Sequence, residues 1–277
     1  MLNLIKWIKL KVIPSAIFFI PFFAKAQGPE KSGTAPQESA AELAKKLANP
    51  IASLISVPFQ NNTDYGIGIY KGTRNTMNFQ PVIPISLSKK LNLITRYIIP
   101  IVTQYNVSGQ NTQESGLGDA VVSGFFSPAE THNGITWGAG PVFSVPIATN
   151  TIFGSGKFGL GPTVVILKQA SGFTYGALLN QIWSVGGSSD RPNINQMFIQ
   201  PFFSYNWKSG AGIGASGEIS QYWDTKTTVA NLIIPFTGVT KFGKQIIQLG
   251  LGPRIPIVSP AKADWGWRAV LVLLFPK

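Results

Sequence analysis

The chain has 277 residues and a net charge of +12; 44% of its residues are hydrophobic and only 12% are charged. A soluble domain carries roughly 25% charged residues, so this composition argues against an ordinary water-soluble fold. With 29 Gly and 20 Pro it also argues against a bundle of membrane helices, and the lack of cysteine excludes disulfides and thiolate metal sites.

Lys6, Lys9 and Lys11 precede an apolar run from Val12 to Phe23, and Ala24-Lys25-Ala26 follows as a small-residue cleavage pattern. This is the order of a secretory signal, expected over 1–26. Losing it with Lys25 lowers the net charge from +12 to +8. An exported chain with scattered cations points to lipid headgroups and lipopolysaccharide phosphates as partners, not to nucleic acid. Beyond the signal, no apolar run approaches the roughly 18 residues of a membrane-crossing helix. Hydrocarbon then leaves the closed β-barrel as the other way to pair every backbone group.

The segment 27–49 opens polar and aperiodic. It then places Ala40, Leu43, Ala44 and Leu47 on one helical stripe, so a helix is expected from about Gln37 to Ala48. Thr34 with Gln37 offers a capping box, Glu42 stands four residues before Lys46, and Asn49-Pro50 ends the run. The helix is expected to pack at the mouth or in the lumen of a barrel formed by 50–277.

Two long alternating stretches follow about a Lys89-Lys90 turn. Met77, Phe79, Pro81, Ile83, Ile85 and Leu87 alternate with polar residues before it. Leu91, Leu93, Thr95, Tyr97, Ile99 and Ile101 do so after it. Such lengths suit tilted strands crossing a bilayer. The same reading gives twelve antiparallel strands: Ile51 to Gln60, Asn75 to Leu87, Asn92 to Tyr105, Leu117 to Ser127, Ile135 to Ile147 and Lys157 to Lys168 in the first half. The second half gives Phe173 to Val185, Asn195 to Trp207, Gly212 to Trp223, Thr228 to Phe236, Gln245 to Ile257 and Trp265 to Phe275. The fold class expected is therefore an all-β, twelve-stranded transmembrane barrel with a short N-terminal helix.

Short and long connections alternate, as periplasmic turns and external loops should. Tyr105, Trp183, Trp223 and Trp265 fall at one set of strand ends, with Trp137, Tyr175, Trp207 and Phe242 at the other. Prolines inside the strands, Pro81, Pro84, Pro100, Pro141, Pro146, Pro162, Pro201, Pro235, Pro253 and Pro256, predict bulges or broken pairing.

The stretches NFQPVIPISLSKKLNLITR, SGLGD, WGAGPVF, TYGALLNQIWSV, QPFFSYN and the closing DWGWRAVLVLLFPK resemble a bacterial outer-membrane family. Its members go under the names of transporters, of meta-pathway phenol-degradation proteins and, misleadingly, of neuromedin U. The resemblance implies a barrel in the outer membrane of a Gram-negative bacterium, helped into place by the barrel assembly machinery, and an involvement with aromatic compounds. The chain ends Phe275-Pro276-Lys277 where barrels usually present a terminal aromatic, a variant the family shares.

Gly154-Ser155-Gly156-Lys157-Phe158-Gly159 matches a dinucleotide-binding spacing, but a strand follows where phosphate chemistry needs a helix. It reads as an external loop. His132 is the one histidine and falls in a turn beside Glu130, so neither a nucleophilic catalytic set nor a metal site is expected, and no cofactor. The charges that alternation points inward are Arg96, Asp119, Glu218, Arg254 and Arg268. A hairpin turning near Ala261 sets Arg254 opposite Arg268, like charges needing compensation. Two readings of this cluster stay open: ion pairs filling a narrow barrel, or a cationic constriction that orients a solute. The function expected is a non-enzymatic channel or transporter for small, hydrophobic or aromatic solutes. The alternatives are an occluded structural barrel and a lipid-modifying enzyme.

Overall fold

A computed structural model describes residues 38–275. The leader with its cleavage site, the Thr34–Gln37 pair and the closing Pro276-Lys277 lie outside them. The described chain is a short helix, α1 (Ala40–Leu47), followed by a closed antiparallel barrel. Fifteen ladder segments join into twelve strands, because three strands are each interrupted once. They are β1 (Ile55–Ile67), β2 (Gly72–Phe79 with Val82–Ser86), β3 (Leu91–Tyr105), β4 (Gln113–Leu117 with Ala120–Pro128), β5 (Ile135–Val145) and β6 (Lys157–Ala170). Then come β7 (Phe173–Gly187), β8 (Asn195–Asn206), β9 (Ala211–Tyr222), β10 (Thr227–Ile233 with Phe236–Phe242), β11 (Gln245–Val258) and β12 (Trp265–Phe275). Each strand pairs with its sequence neighbours, and β1 pairs with β12 from Ile55↔Phe275 to Tyr65↔Trp265. That last ladder removes the sheet edge, which a membrane barrel requires.

The alternation that forms the strands also sorts their faces. Along β6, Phe158, Leu160, Val164 and Ile166 are exposed while Lys157, Thr163, Val165 and Leu167 are buried. The barrel thus turns a largely greasy face outward with none of the described residues covering it, a surface suited to lipid tails. β3 and β7 are 15 residues long, more than the roughly nine to eleven needed to cross hydrocarbon at a tilt. The eight aromatics expected at the strand ends are all exposed there in two rings. One is stacked: Tyr65 lies 4.5 Å from Trp265, ring to ring.

The strand count matches expectation, but the tenth strand runs on past Phe236 to Phe242, through residues expected in a turn, and the first strand differs more. It begins at Ile55 instead of Ile51 and runs on to Ile67, leaving only 68–71 as the first loop. The stretch Asn61 to Asp64 is polar on both faces, which masks the period-two signal. Inward Asn62 and Asp64 meet the wet lumen. Outward Asn61, Thr63 and Asn75 satisfy one another, with Asn61 and Asn75 exchanging 3.0 Å amide bonds. The helix is also shorter than expected, and its capping box is Ser39 with Glu42: Ser39 Oγ accepts from the Glu42 N–H, and the Ser39 N–H donates to Glu42 Oε2 at 2.9 Å. That Ser39 N–H is the main reason the Glu42 carboxyl is held below the usual glutamate range, with the Ser39 hydroxyl second. Lys46 pairs with Glu38, not with Glu42.

The prolines divide into two groups. Pairing lapses at Gln80-Pro81 and Ile234-Pro235. It slips by one residue at Gly118-Asp119 opposite Pro100, and again beside Pro256. Pro141, Pro162 and Pro201 each keep one ladder, Pro141 facing Pro162 and Pro201 facing Ala177, while the ladder on their other side breaks as expected, skipping Gly140-Pro141, Gly161-Pro162 and Gln200-Pro201. Pro84 and Pro253 likewise keep a partner on one side, and Pro146 lies past the end of β5. One ladder survives because a residue's N–H points to one neighbouring strand alone, and proline loses only that donor. The carbonyls of Pro58, Pro81, Pro100, Pro235 and Pro253 each accept an N–H from a neighbouring strand.

Eight strands are just filled by their own side chains and sixteen leave a water channel; twelve leave a space that this chain fills at one end. Ile51 packs against the inward Val82, Ile94, Phe125, Val165, Leu167 and Leu178. Leu43 and Leu54 pack against Ile246, Val272 and Leu274. Gln169 Nε2 donates to the Lys45 carbonyl at 2.7 Å, tying the helix to the wall. Residues 43–54 therefore form a plug in the lumen at the end of the barrel that carries the short turns.

Candidate functional site

Above the plug the lumen changes from apolar to charged. Glu218 on β9 reaches two cations with one carboxylate: Oε2 accepts from Arg254 Nη1 and Oε1 from Arg268 Nη2, both at 2.8 Å. Arg254 Nε also bonds Asp64 Oδ1 at 3.1 Å, and Arg268 Nε bonds Asn62 Oδ1 at 2.7 Å. Arg96 on β3 projects into the same level and donates to Gln80 Oε1 at 3.2 Å. Three guanidinium groups meet two carboxylates, so the belt carries one net positive charge. Fixed charges at a constriction bias which ions pass.

Of the five residues expected there, four are brought together. Arg254 and Arg268 are not opposite each other, however. Arg254 pairs with Gly266 and Arg268 with Gly252, a diagonal offset of two, because the hairpin turns one residue earlier than Ala261 implies. Each bulky cation thus stands across from a glycine, with Glu218 between them. Asp119 is elsewhere. It sits in the bulge of β4 and accepts from Ser155 N at 2.6 Å, Ser155 Oγ at 2.7 Å and Ala148 N at 3.3 Å. Its role is to clamp loop 146–156. A bulge re-aims side chains, which is why Asp119 lines the lumen at the loop end and does not join the arginine belt.

Asn62, Asp64, Gln80, Arg74 and Arg191 were not picked out from the sequence. Continuing the period of two through Asn61 to Asp64 finds the first two. Arg191 donates to the carbonyls of Thr151, Gly154 and Ser155, securing the same loop from the far side. Beside it the Ser188 hydroxyl, donating to Asp190, holds that carboxyl below the usual aspartate range. Arg74 Nε bonds Gln104 Oε1 at 2.9 Å.

Cavities among the described residues open into the lumen at both levels. A vestibule of about 610 Å³ opens among the long loops, lined by Arg74, Pro100, Val102, Asp119, Phe153, Arg191 and Tyr222. Two smaller ones, about 240 and 200 Å³, flank the plug at Leu47 and Pro50 and share Arg96. His132 lies exposed in the turn 129–134, where its backbone bridges Ile135.

No protein-family model and no curated protein sequence matches the chain. Among solved structures it is similar to an outer membrane channel from Pseudomonas putida F1, with TM-score 0.62 and 14% identity over 80% of this chain and 94% of that one. The barrel fold is that of outer-membrane proteins. A weaker likeness is to the outer membrane phospholipase of Salmonella typhi, with TM-score 0.43 and 11% identity over 86% and 99% of the two chains.

Proposed function

We propose that the protein is a channel in the outer membrane of a Gram-negative bacterium that passes small solutes passively, with residues 43–54 as its restriction. The observation that carries this reading is the layered lumen: an open vestibule at the loop end, a cationic belt midway, and two cavities that flank the plug at Leu47 and Pro50 and reach Arg96. The apolar outer face between two aromatic rings supports membrane residence, and the fold shared with the Pseudomonas putida channel supports the transport role. The turn end then faces the periplasm, the loop end faces outward, and the cleaved leader supplies export. Exposed lysines at the turns, Lys89, Lys90 and Lys208, meet anionic headgroups. Hydrophobic and aromatic solutes, the class implied by the sequence resemblance, suit the vestibule walls of Pro100, Val102 and Phe153.

The plug itself favours a second reading, a barrel occluded at rest. Planar-bilayer recordings of the mature protein and of a variant lacking 38–52 separate the two. A channel gives discrete steps in both, larger in the deletion. A silent mature protein with a conducting deletion makes the plug a closed gate, and silence in both overturns the transport reading.

A further inference from the structure

The larger cavity beside the plug holds more hydrogen-bond donors than the protein uses. Ser204 Oγ and Asn206 Nδ2 on β8 are fully buried and have no partner among the described residues. Both line this cavity of about 240 Å³. Arg96 lines it too and spends one nitrogen on Gln80. Among the described residues no carboxylate lines the space. A buried donor left unpaired costs about 1–3 kcal/mol, so Ser204 and Asn206, beside the Arg96 guanidinium in one cavity, constitute a cost unless something accepts from them.

We propose that this cavity is a binding site for a small monocarboxylate, seated between the barrel wall and the plug. Its charge matches the single guanidinium at Arg96, and its two oxygens take the Arg96 fork on one side and the Ser204 and Asn206 donors on the other. Leu47, Phe202 and Pro235 supply an apolar surface for a short hydrocarbon tail. The volume lies below the roughly 300–1,000 Å³ of sites for drug-sized ligands, which limits the tail to a few carbons. A divalent phosphate meets only one cation here and has no use for the apolar wall. Because Leu47 belongs to the plug and Arg96 to the wall, the ligand bridges the two.

The site stands whether or not the barrel conducts, and its test is separate from conductance. The mature protein in detergent micelles at fixed chloride is titrated calorimetrically with propionate, with its neutral isostere propionamide, and with inorganic phosphate. Saturable propionate binding is expected, weakened at least about tenfold by Arg96→Gln and about threefold by Ser204→Ala or Asn206→Ala. Lys208→Gln, at an exposed turn, leaves it unchanged. The serine and asparagine variants keep the test decisive if Arg96→Gln does not fold. Equal binding of propionamide, tighter binding of phosphate, indifference to the Ser204 and Asn206 changes, or no saturable binding overturns the proposal. A conducting barrel that ignores propionate removes this site and leaves the channel. A silent barrel that binds propionate does the reverse.

Discussion

Replacing Glu218 by Gln probes the belt at its centre. The carboxylate makes two 2.8 Å bonds to guanidinium groups whose side chains are 13% and 6% exposed, and is itself 19% exposed. Charge-assisted bonds contribute about 1.5–3 kcal/mol each, and removing one member of a buried ion pair costs about 3–5 kcal/mol. Lumen water screens the charges, Arg254 keeps Asp64, and Arg268 keeps Asn62. The expected loss is therefore at the lower end, about 3 kcal/mol. Urea unfolding of the barrel in lipid vesicles, followed by tryptophan fluorescence, reads it. The same change raises the belt from one net positive charge to two, so the reversal potential in a salt gradient shifts toward the anion. Adding Arg268→Gln restores the selectivity but not the stability. A loss under about 0.5 kcal/mol, the range of a surface pair, with an unmoved reversal potential would show that these charges do not act together.

Other parts of the barrel yield sharper, smaller tests. Ser39→Ala removes the helix cap at a local cost of about 1 kcal/mol, read as faster amide exchange across α1. In the unaltered protein the Glu42 carboxyl is depressed on folding, so its contribution is full above the ordinary glutamate range and lost as pH falls through the folded value; amide protection of α1 should drop on acidification, still do so in Ser39→Ala, which keeps the backbone N–H, and no longer do so in Glu42→Gln. Arg191→Ala frees three carbonyls of loop 146–156, and limited proteolysis should nick that loop while the barrel stays folded. Gly161→Ala places a methyl group against the Gln181 carbonyl oxygen, and the fraction recovered as folded barrel on a heat-modifiability gel should fall several-fold; an unchanged fraction would mean the β6–β7 pairing yields there.

Much of the cylinder was legible because lipid imposes one rule on every strand. Leu160, Val164 and Ile166 must all be apolar since they share one solvent, and that repetition survives errors in single boundaries. The lumen obeys no such rule. Asn61 and Thr63 look like loop residues unless Asn75 is known to lie beside them, and Ile51 and Leu54 read as strand because a plug and a strand are equally greasy. Glu218, Arg254 and Arg268 were found because an inward charge in a membrane strand stands out. Their diagonal contact was missed, since a hairpin shifted by one residue moves every pairing by two. Asp119 escaped for a local reason, a bulge invisible without its partner Pro100. Ser204 and Asn206 carry no signal in the sequence, as burial and lack of a partner are properties of three dimensions alone.

The ladder between β1 and β12 joins residues roughly two hundred positions apart, so it is the seam that forms after all other neighbours have met. Arg254 to Asp64 and Arg268 to Asn62 cross that seam from inside, fastening it like a latch whose attraction acts before the backbones touch. Dissolved salt shortens the reach of such attraction to about 3 Å at molar strength. Circularisation in the bilayer should consequently slow as ionic strength rises, while the greasy outer surface, indifferent to ions, leaves insertion itself unhindered.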